Sequence, residues 1–230
     1  MAVDTAILTV HDGRLCVAVL ETDDHSRRLP GRFVHEGETL SDAVRRSLRE
    51  KLGIKGLVPR QLHVFDAPDR DDRGRVLSVA HIAAVSDDRL TSVKLVPAAS
   101  ATGLSFDHDE IVRLAVREIR AAYAEHPDPW DLLDEFTLRD LRQLHVAVDP
   151  DTPLRDTFRR MMEPQLVETG ELTRGSLGKP SRVFTKPSAE ERRRHEQSSQ
   201  LTLDRSRRAS RSPRTPSSRD AQTDSRDSRD

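Results

Sequence analysis

The segment from residue 30 to residue 54 constrains the fold of this chain most strongly. Its apolar residues recur at the three- and four-residue spacing of a helix that buries one face, and they are Leu40, Ala43, Val44, Leu48 and Leu52. Gly53 follows at the position where such a helix would end. The spacing predicts an amphipathic helix over residues 39–52. By itself it indicates no more than a surface helix on a globular domain.

The charged residues of the same segment carry a second pattern. It resembles the Nudix box, G-x5-E-x7-R-E-U-x-E-E-x-G-U, where U is a bulky apolar residue. The positions that match are Glu38, Arg46, Leu48, Glu50, Gly53 and Ile54. Three positions depart, since Arg32 replaces the first glycine, Ser47 replaces the glutamate after the arginine, and Lys51 replaces the last glutamate. The resemblance implies an α/β fold, the Nudix α/β/α sandwich with a mixed sheet.

These departures change the chemistry of the helix face. In the intact box three carboxylates lie at i, i+3 and i+4 and share one face, where they hold the Mg²⁺ that bridges a substrate diphosphate. Here the three residues are Ser47, Glu50 and Lys51, which together carry no net formal charge. We interpret Glu38, Arg46 and Glu50 as remnants of a catalytic site, with Glu50 as a weak metal ligand or none. No cofactor is expected to be required, and Mg²⁺ is expected only if hydrolase activity remains.

Other segments resemble the ADP-ribose-type members of the family. They are residues 64–80 and residues 104–108. A lysine on the former metal face could contact an anionic diphosphate directly, as a point charge. We therefore expect a nucleotide ligand to be bound by Arg32, Lys51, Asp69 and Arg70.

Composition excludes several classes of protein. The chain has 230 residues, a formal net charge of −1 and one cysteine, Cys16. A single cysteine excludes a disulfide framework, and its apolar neighbours favour a buried strand residue over a nucleophile. We found no signal peptide and no apolar stretch long enough to span a bilayer. The expectation is a cytoplasmic protein with no membrane partner.

The first half of the chain reads as one ADP-ribose-type Nudix domain over residues 1–126. Residues 6–10 and 14–20 predict a hairpin around Asp12-Gly13. Residues 61–67 and 75–85 predict further strands, and residues 107–125 predict a helix.

The second half reads differently. Pro127 and Pro129 predict a linker over residues 127–134. A helix over residues 137–148, an Arg-rich helix over residues 154–162 and two strands at 166–174 and 181–185 follow. This order is typical of a small winged helix-turn-helix domain, here residues 135–187. Residues 188–230 have almost no apolar side chains, which predicts a disordered tail.

Basic residues cluster where such a domain would contact DNA. The second helix carries Arg155, Thr157, Arg159 and Arg160, and the strands and their loop carry Arg174, Lys179 and Arg182. A recognition helix reads base edges with its N-terminal residues, while a wing contacts the backbone. The alternative is a solvated charged face on a helical extension.

The combination of both halves resembles the NrtR family of Nudix-related transcriptional regulators, over about residues 4–187. That resemblance implies a bacterial, cytoplasmic homodimer that binds double-stranded DNA and responds to an ADP-ribose-like nucleotide. The rival hypothesis is a divergent Nudix pyrophosphohydrolase acting on ADP-ribose or a similar nucleoside diphosphate derivative. Departures from the family pattern are the short segment 21–28, Arg32, His81 and Pro164.

Overall fold

The computed structural model describes residues 1–23, 25–71, 74–173 and 180–187. Residues 1–186 form one compact unit. The expectations for Arg174, Lys179 and the tail from residue 188 lie outside the described residues. The elements, in chain order, are β1 (Ala2–His11), β2 (Arg14–Glu21), β3 (Arg27–Arg28), β4 (Gly31–Phe33), α1 (Leu40–Leu52), β5 (Arg60–Phe65), β6 (Ser78–Ala84), β7 (Lys94–Pro97), α2 (His108–Glu125), α3 (Leu138–Val148), α4 (Arg155–Met162), β8 (Val167–Leu172) and β9 (Arg182–Thr185).

Seven strands of the described residues form one mixed sheet. Its order is β3-β2-β1-β6-β5, with β4 also paired to β1 and β7 to β2. Strands β1 and β6 are parallel, whereas β1 and β2 are antiparallel. The mixed α/β architecture expected from the sequence is therefore confirmed.

Helices cover both faces of this sheet. Side chains alternate along a strand, so Ala6 and Leu8 of β1 join the core under α2, while Val3 and Ile7 join the core under α1. The apolar stripe of α1 supplies Ala43, Val44 and Leu48 to the second of these cores. Burial on both sides explains why apolar and polar residues do not alternate strictly along β1.

The predicted hairpin turn and the predicted end of α1 are present, and α1 also begins with a cap that was not predicted. Asp12 and Gly13 both adopt positive φ angles, 49° and 70°, which is the conformation of the tight turn that matches the twist of a hairpin. Thr39 and Asp42 form a reciprocal capping box at the start of α1. Gly53 ends that helix in the left-handed region with a φ of 70°.

Several strands differ from the sequence prediction. Strand β1 begins at Ala2, four residues before the predicted segment 6–10. Strand β6 begins only at Ser78, three residues later than the pattern at 75–85 suggested. Strand β7 was not predicted, because its four residues lie between two short 3₁₀ turns, Asp87–Leu90 and Ala98–Ser100. It is held by pairing with β2, a contact that is distant in sequence.

The C-terminal part contains two helices and a two-stranded antiparallel sheet, β8 with β9. Helix α4 ends at Met162, and Pro164 lies in the 3₁₀ turn Glu163–Gln165 that follows. These elements share a small core made by Phe136, Leu141, Phe158, Met162 and Phe184. None of the helices within the described ranges is both long and apolar enough for a bilayer span. The domain limits at 126 and 135 stay predictions.

Candidate functional site

Glu38 and Arg46 form an ion pair that we call the Glu38–Arg46 buttress. Arg46 Nε donates to Glu38 Oε1 at 2.6 Å, and its Nη2 donates to Glu38 Oε2 at 2.8 Å. Arg46 also donates to the backbone carbonyl of Phe33 at 3.0 Å. The arginine lowers the pKa of Glu38 to about 2, aided by the backbone N–H of His35. These two remnants therefore fix the loop before α1 against the helix, which is a positioning role.

The former metal face cannot gather carboxylates. Ser47 is completely buried, and its hydroxyl has no hydrogen-bond partner within the described residues. Glu50 forms an ion pair with Arg32. Lys51 Nζ donates to the backbone carbonyl of Gly31. No three His, Cys, Asp or Glu side chains in the described part of the chain come together as a metal site. The residues present do not fit the Mg²⁺ of the intact box.

A second network, centred on the buried Asp4 of β1, lies beside this face. Ser78 Oγ donates to Asp4 Oδ2 at 2.6 Å. Arg70 Nη2 lies 3.5 Å from the same oxygen, and His108 Nε2 lies 3.4 Å from Oδ1. Burial raises the pKa of Asp4, but His108, Ser78 and Arg70 together lower it below its ordinary value. Asp4 is therefore held as a carboxylate inside the domain.

The neighbours of Asp4 are themselves fixed. Arg70 makes a two-pronged contact with Asp107, with distances of 2.8 and 2.6 Å. The backbone N–H of Leu29 donates to His108 Nδ1 at 2.9 Å, so the imidazole proton lies on Nε2, toward Asp4. The network thus joins β1 to the first residues of α2.

Two adjoining cavities open beside these groups. The larger is a groove of about 1140 Å³ lined by Thr22, Ser26, Asp69, Ser105 and Asp107, among others. The smaller, about 170 Å³, is lined by Asp4, Gly31, Arg32, Lys51 and His108, among others. Both cavities share Arg28, Arg70 and Phe106 as lining residues.

Phe106 marks the boundary between the two cavities. Its φ angle is 61°, which is rare for a bulky side chain. Its ring meets the ring of His108 edge to face, with centroids 5.4 Å apart. Strain of this kind persists where the surrounding structure imposes it and often occurs at ligand sites.

The predicted ligand residues all lie at these cavities. Arg32 and Lys51 line the smaller one, Asp69 lines the larger one, and Arg70 lines both. A binding role for them stays a prediction. The sequence reasoning had not selected Arg28, Asp4, Phe106 or His108. The available signal for the last two was the segment 104–108, which had been singled out only as a family resemblance.

The basic residues of α4 lie at the surface. Arg155, Thr157, Arg159 and Arg160 are all exposed. Arg155 has no hydrogen-bond or ion-pair partner among the described residues. Among the residues that the structure describes, Arg160 donates only to Thr157 Oγ1, at 3.4 Å. Within the described part of the chain, this face of α4 is exposed to solvent.

One carboxylate joins α4 to the last hairpin. Arg159 Nε donates to Glu163 Oε2 at 2.5 Å, and Arg182 forms an ion pair with Glu163 Oε1. Arg182 also donates to Glu168 at 3.0 Å and lies over the ring of Phe184. Arg159 and Arg182 are thus partly neutralised by acids of their own chain, a relation that the sequence did not reveal.

A buried polar cluster links the end of α2 to this C-terminal part. Asp128 accepts from the hydroxyl of Tyr123 at 2.9 Å and from Lys186 Nζ at 2.9 Å. The ring of His145 packs edge to face between the rings of Tyr123 and Phe158. The region predicted as a linker is therefore tied to α2, α3, α4 and the residue after β9.

Comparisons with known proteins agree with this architecture. The NUDIX domain family model matches residues 1–136. Over 91 residues the chain is 35% identical to an ADP-ribose pyrophosphatase of Methanocaldococcus jannaschii, a match that spans 37% of this chain and 54% of that protein. Over 201 residues it is 23% identical to the ADPR responsive transcriptional repressor NtrR of Acinetobacter baylyi, which covers 80% of each.

A solved structure resembles both halves of the chain. The crystal structure of Shewanella oneidensis NrtR complexed with a 27mer DNA superposes with a TM-score of 0.70 and 26% identity, covering 81% of this chain and 93% of that one. The resemblance to NrtR regulators inferred from the sequence is thereby confirmed. The family model covers more than half of the chain, and the Glu38–Arg46 buttress of the box is intact. The chain belongs to the Nudix family.

Proposed function

We propose that this protein is a DNA-binding transcriptional regulator whose Nudix domain binds ADP-ribose or a related nucleotide without cleaving it efficiently. The proposal rests on one observation. Helix α2 connects the cavities described above to the C-terminal part, which carries the exposed arginines of α4. Helix α2 begins with Asp107 and His108 at the groove and ends with Tyr123 at the C-terminal cluster. In this proposal α2 carries a change at the groove to the C-terminal part.

The C-terminal part would act as a winged helix-turn-helix. In this interpretation α3 crosses the DNA backbone, α4 enters the major groove, and the β8–β9 hairpin serves as the wing. Arg155, Thr157 and Arg160 would contact DNA directly because they are exposed. The NrtR of Shewanella oneidensis, which covers 81% of this chain, was crystallised with DNA. That likeness supports the assignment.

Regulation would come from a homodimer acting in the bacterial cytoplasm. A dimer of such domains reads two half-sites, so a rotation of subunits changes the spacing of the reading helices and the affinity. The ADPR responsive repressor of Acinetobacter baylyi, similar over 80% of its length, supports ADP-ribose as the effector class. No cofactor is needed for this activity.

The test is selection of DNA fragments by the full-length protein, followed by fluorescence anisotropy with the selected fragment. ADP-ribose should change the affinity of the protein for that fragment, whereas equimolar AMP should change it less. Absence of specific DNA binding both with and without ADP-ribose would refute the regulator.

The second candidate is a divergent ADP-ribose pyrophosphatase. It is favoured by the 35% identity with the Methanocaldococcus jannaschii enzyme, although the chain spans only 54% of that protein. The buried Ser47 and the paired Glu50 argue against it, because they leave Mg²⁺ without a cluster of carboxylates. Chromatography of ADP-ribose incubated with protein and Mg²⁺ separates the two candidates.

A further inference from the structure

We propose that Arg28, Arg32 and Lys51 form a cation cradle that binds the diphosphate of the nucleotide ligand without a metal ion. This rests on the nucleotide-binding part of the proposed function and deepens it. All three side chains line the smaller cavity. Arg28 was not among the residues that the sequence had suggested.

Positive charge converges on this cavity without full compensation. Arg70 is matched by Asp107 and Asp4, and Arg32 is matched by Glu50. Arg28 has no ion-pair partner among the described residues, and the contact of Lys51 is with a neutral carbonyl. Arg28 and Lys51 thus line the cavity with no paired carboxylate among the residues that the structure describes.

Buried donors add to this imbalance. The Nε atoms of Arg28 and Arg32 are buried and have no hydrogen-bond partner within the described residues. Burial lowers the pKa of Lys51, and the nearby charges of Arg28 and Arg32 lower it further. Like charges gathered in this way are stabilised when an anion comes between them. A diphosphate supplies that anion, with oxygens that accept from several donors at once.

Lys51, which replaces a glutamate of the intact box, explains how the cavity can bind a diphosphate without a metal ion. In the intact box a glutamate here helps to hold a divalent cation, and the two together carry one net positive charge. An ammonium carries the same net charge at the same place. Lys51 therefore replaces both the carboxylate and its metal as the partner of the phosphate oxygens. Such a site can hold a diphosphate but cannot activate a water molecule as a metal does.

Isothermal titration calorimetry on the full-length protein tests the cradle. ADP-ribose and inorganic pyrophosphate are titrated separately, once with EDTA and once with Mg²⁺. Both ligands should bind in EDTA, and the affinity should fall as salt is raised because the contacts are ionic. Lys51→Met and Arg28→Met should each weaken both ligands about ten- to hundredfold. Lys55→Met, on an exposed residue just beyond α1, should leave both affinities unchanged.

A charge reversal sharpens the test. Lys51→Glu places a carboxylate beside Glu50, so its pyrophosphate binding should vanish in EDTA and return with Mg²⁺. Thermal unfolding of each variant confirms that it is folded. Binding of ADP-ribose by wild type only with Mg²⁺, or unaltered binding by Lys51→Met, would overturn the cradle while leaving nucleotide sensing in place. Pyrophosphate binding without ADP-ribose binding would support the cradle and refute the proposed effector.

Discussion

Lys186 Nζ lies 2.9 Å from the carboxylate of Asp128, whose side chain has no exposed surface. Burial lowers the pKa of Lys186, but Asp128 and Asp131 outweigh that effect and raise it. The pair fastens the residue after β9 to the segment that follows α2. Lys186→Met should therefore lower the free energy of unfolding by about 1–3 kcal/mol, because it leaves a buried carboxylate with fewer partners.

Chemical denaturation measures this change. The matched control is Arg113→Met, on an exposed residue of α2 that pairs, among the described residues, only with Glu110 on the same helix. It should change stability by less than about 0.5 kcal/mol. Equal stabilities for Lys186→Met and wild type would show that the pair does not hold the C-terminal part in place.

Hydrolysis of ADP-ribose should be at the background rate with Mg²⁺ or Mn²⁺. The reason is the loss of the carboxylate cluster, since Ser47 is buried and Glu50 is paired with Arg32. The measurement is release of AMP over a long incubation, quantified by chromatography. A metal-dependent rate like that of ordinary family hydrolases would contradict this expectation.

Arg155 should matter for sequence-specific DNA binding. It lies at the start of α4 with no partner among the described residues, so its guanidinium is available to a base or a phosphate. If it reads a guanine, Arg155→Ala should cost about 1–3 kcal/mol and relax preference at one base position. Anisotropy with a selected fragment and its single-base variants measures both effects. A uniform loss over all fragments would instead assign Arg155 to the phosphate backbone.

Glu163→Gln should strengthen DNA binding, whereas Arg155→Ala should weaken it. Arg159 lowers the pKa of Glu163, against the effect of burial, and Arg182 lowers it further, so the carboxylate is charged at neutral pH. Removing that charge frees both arginines toward phosphates and should strengthen DNA binding with a steeper salt dependence. Salt titrations of Glu163→Gln and wild type, run side by side, give the two slopes. Weaker binding by the variant would mean that the ion pairs position the arginines for DNA.

Stability should decrease as the pH falls from about 7 toward 5. Burial lowers the pKa of His145, although the carbonyl of Pro127 and the charge of Asp128 oppose it. The unfolded chain then takes up a proton before the folded one, so the contribution is complete above about pH 6.5 and is lost below it, by at most about 1.4 kcal/mol per pH unit. Denaturation at several pH values should give a flatter profile for His145→Gln. The exposed His63→Gln should keep the wild-type slope, and identical slopes in all three proteins would exclude His145 as the cause.

Local patterns predicted what depends on neighbours in sequence. The apolar stripe of α1, its end at Gly53 and the turn at Asp12-Gly13 were predicted from the sequence, because each is decided within a few residues. The identity of the box was readable as well. Its substitutions at 47 and 51 remove two carboxylates from the box, and the loss of metal binding that this implies stays a prediction.

Contacts between distant residues were not readable. Asp4 meets Arg70 and His108 only because β1 lies at the centre of the sheet, and no spacing encodes that meeting. The neutralisation of Arg159 and Arg182 depends on the turn that places Glu163 between them. The sequence placed these arginines on one basic surface, while their acidic partner required the fold.

Gly31 links the packing of the sheet to the wall of the smaller cavity. A Cβ atom built there would lie 1.8 Å from Asp4 Oδ1, and the carbonyl oxygen of Val3 would be 2.9 Å away. The space of a missing side chain is thus occupied by the carboxylate that orders the cavity wall. Gly31 and Asp4 cannot be substituted independently, since any larger residue at position 31 would displace the side chain of Asp4. Substitutions at position 31 should therefore lower the free energy of unfolding whether or not a ligand is present, because the constraint acts on the folded sheet itself.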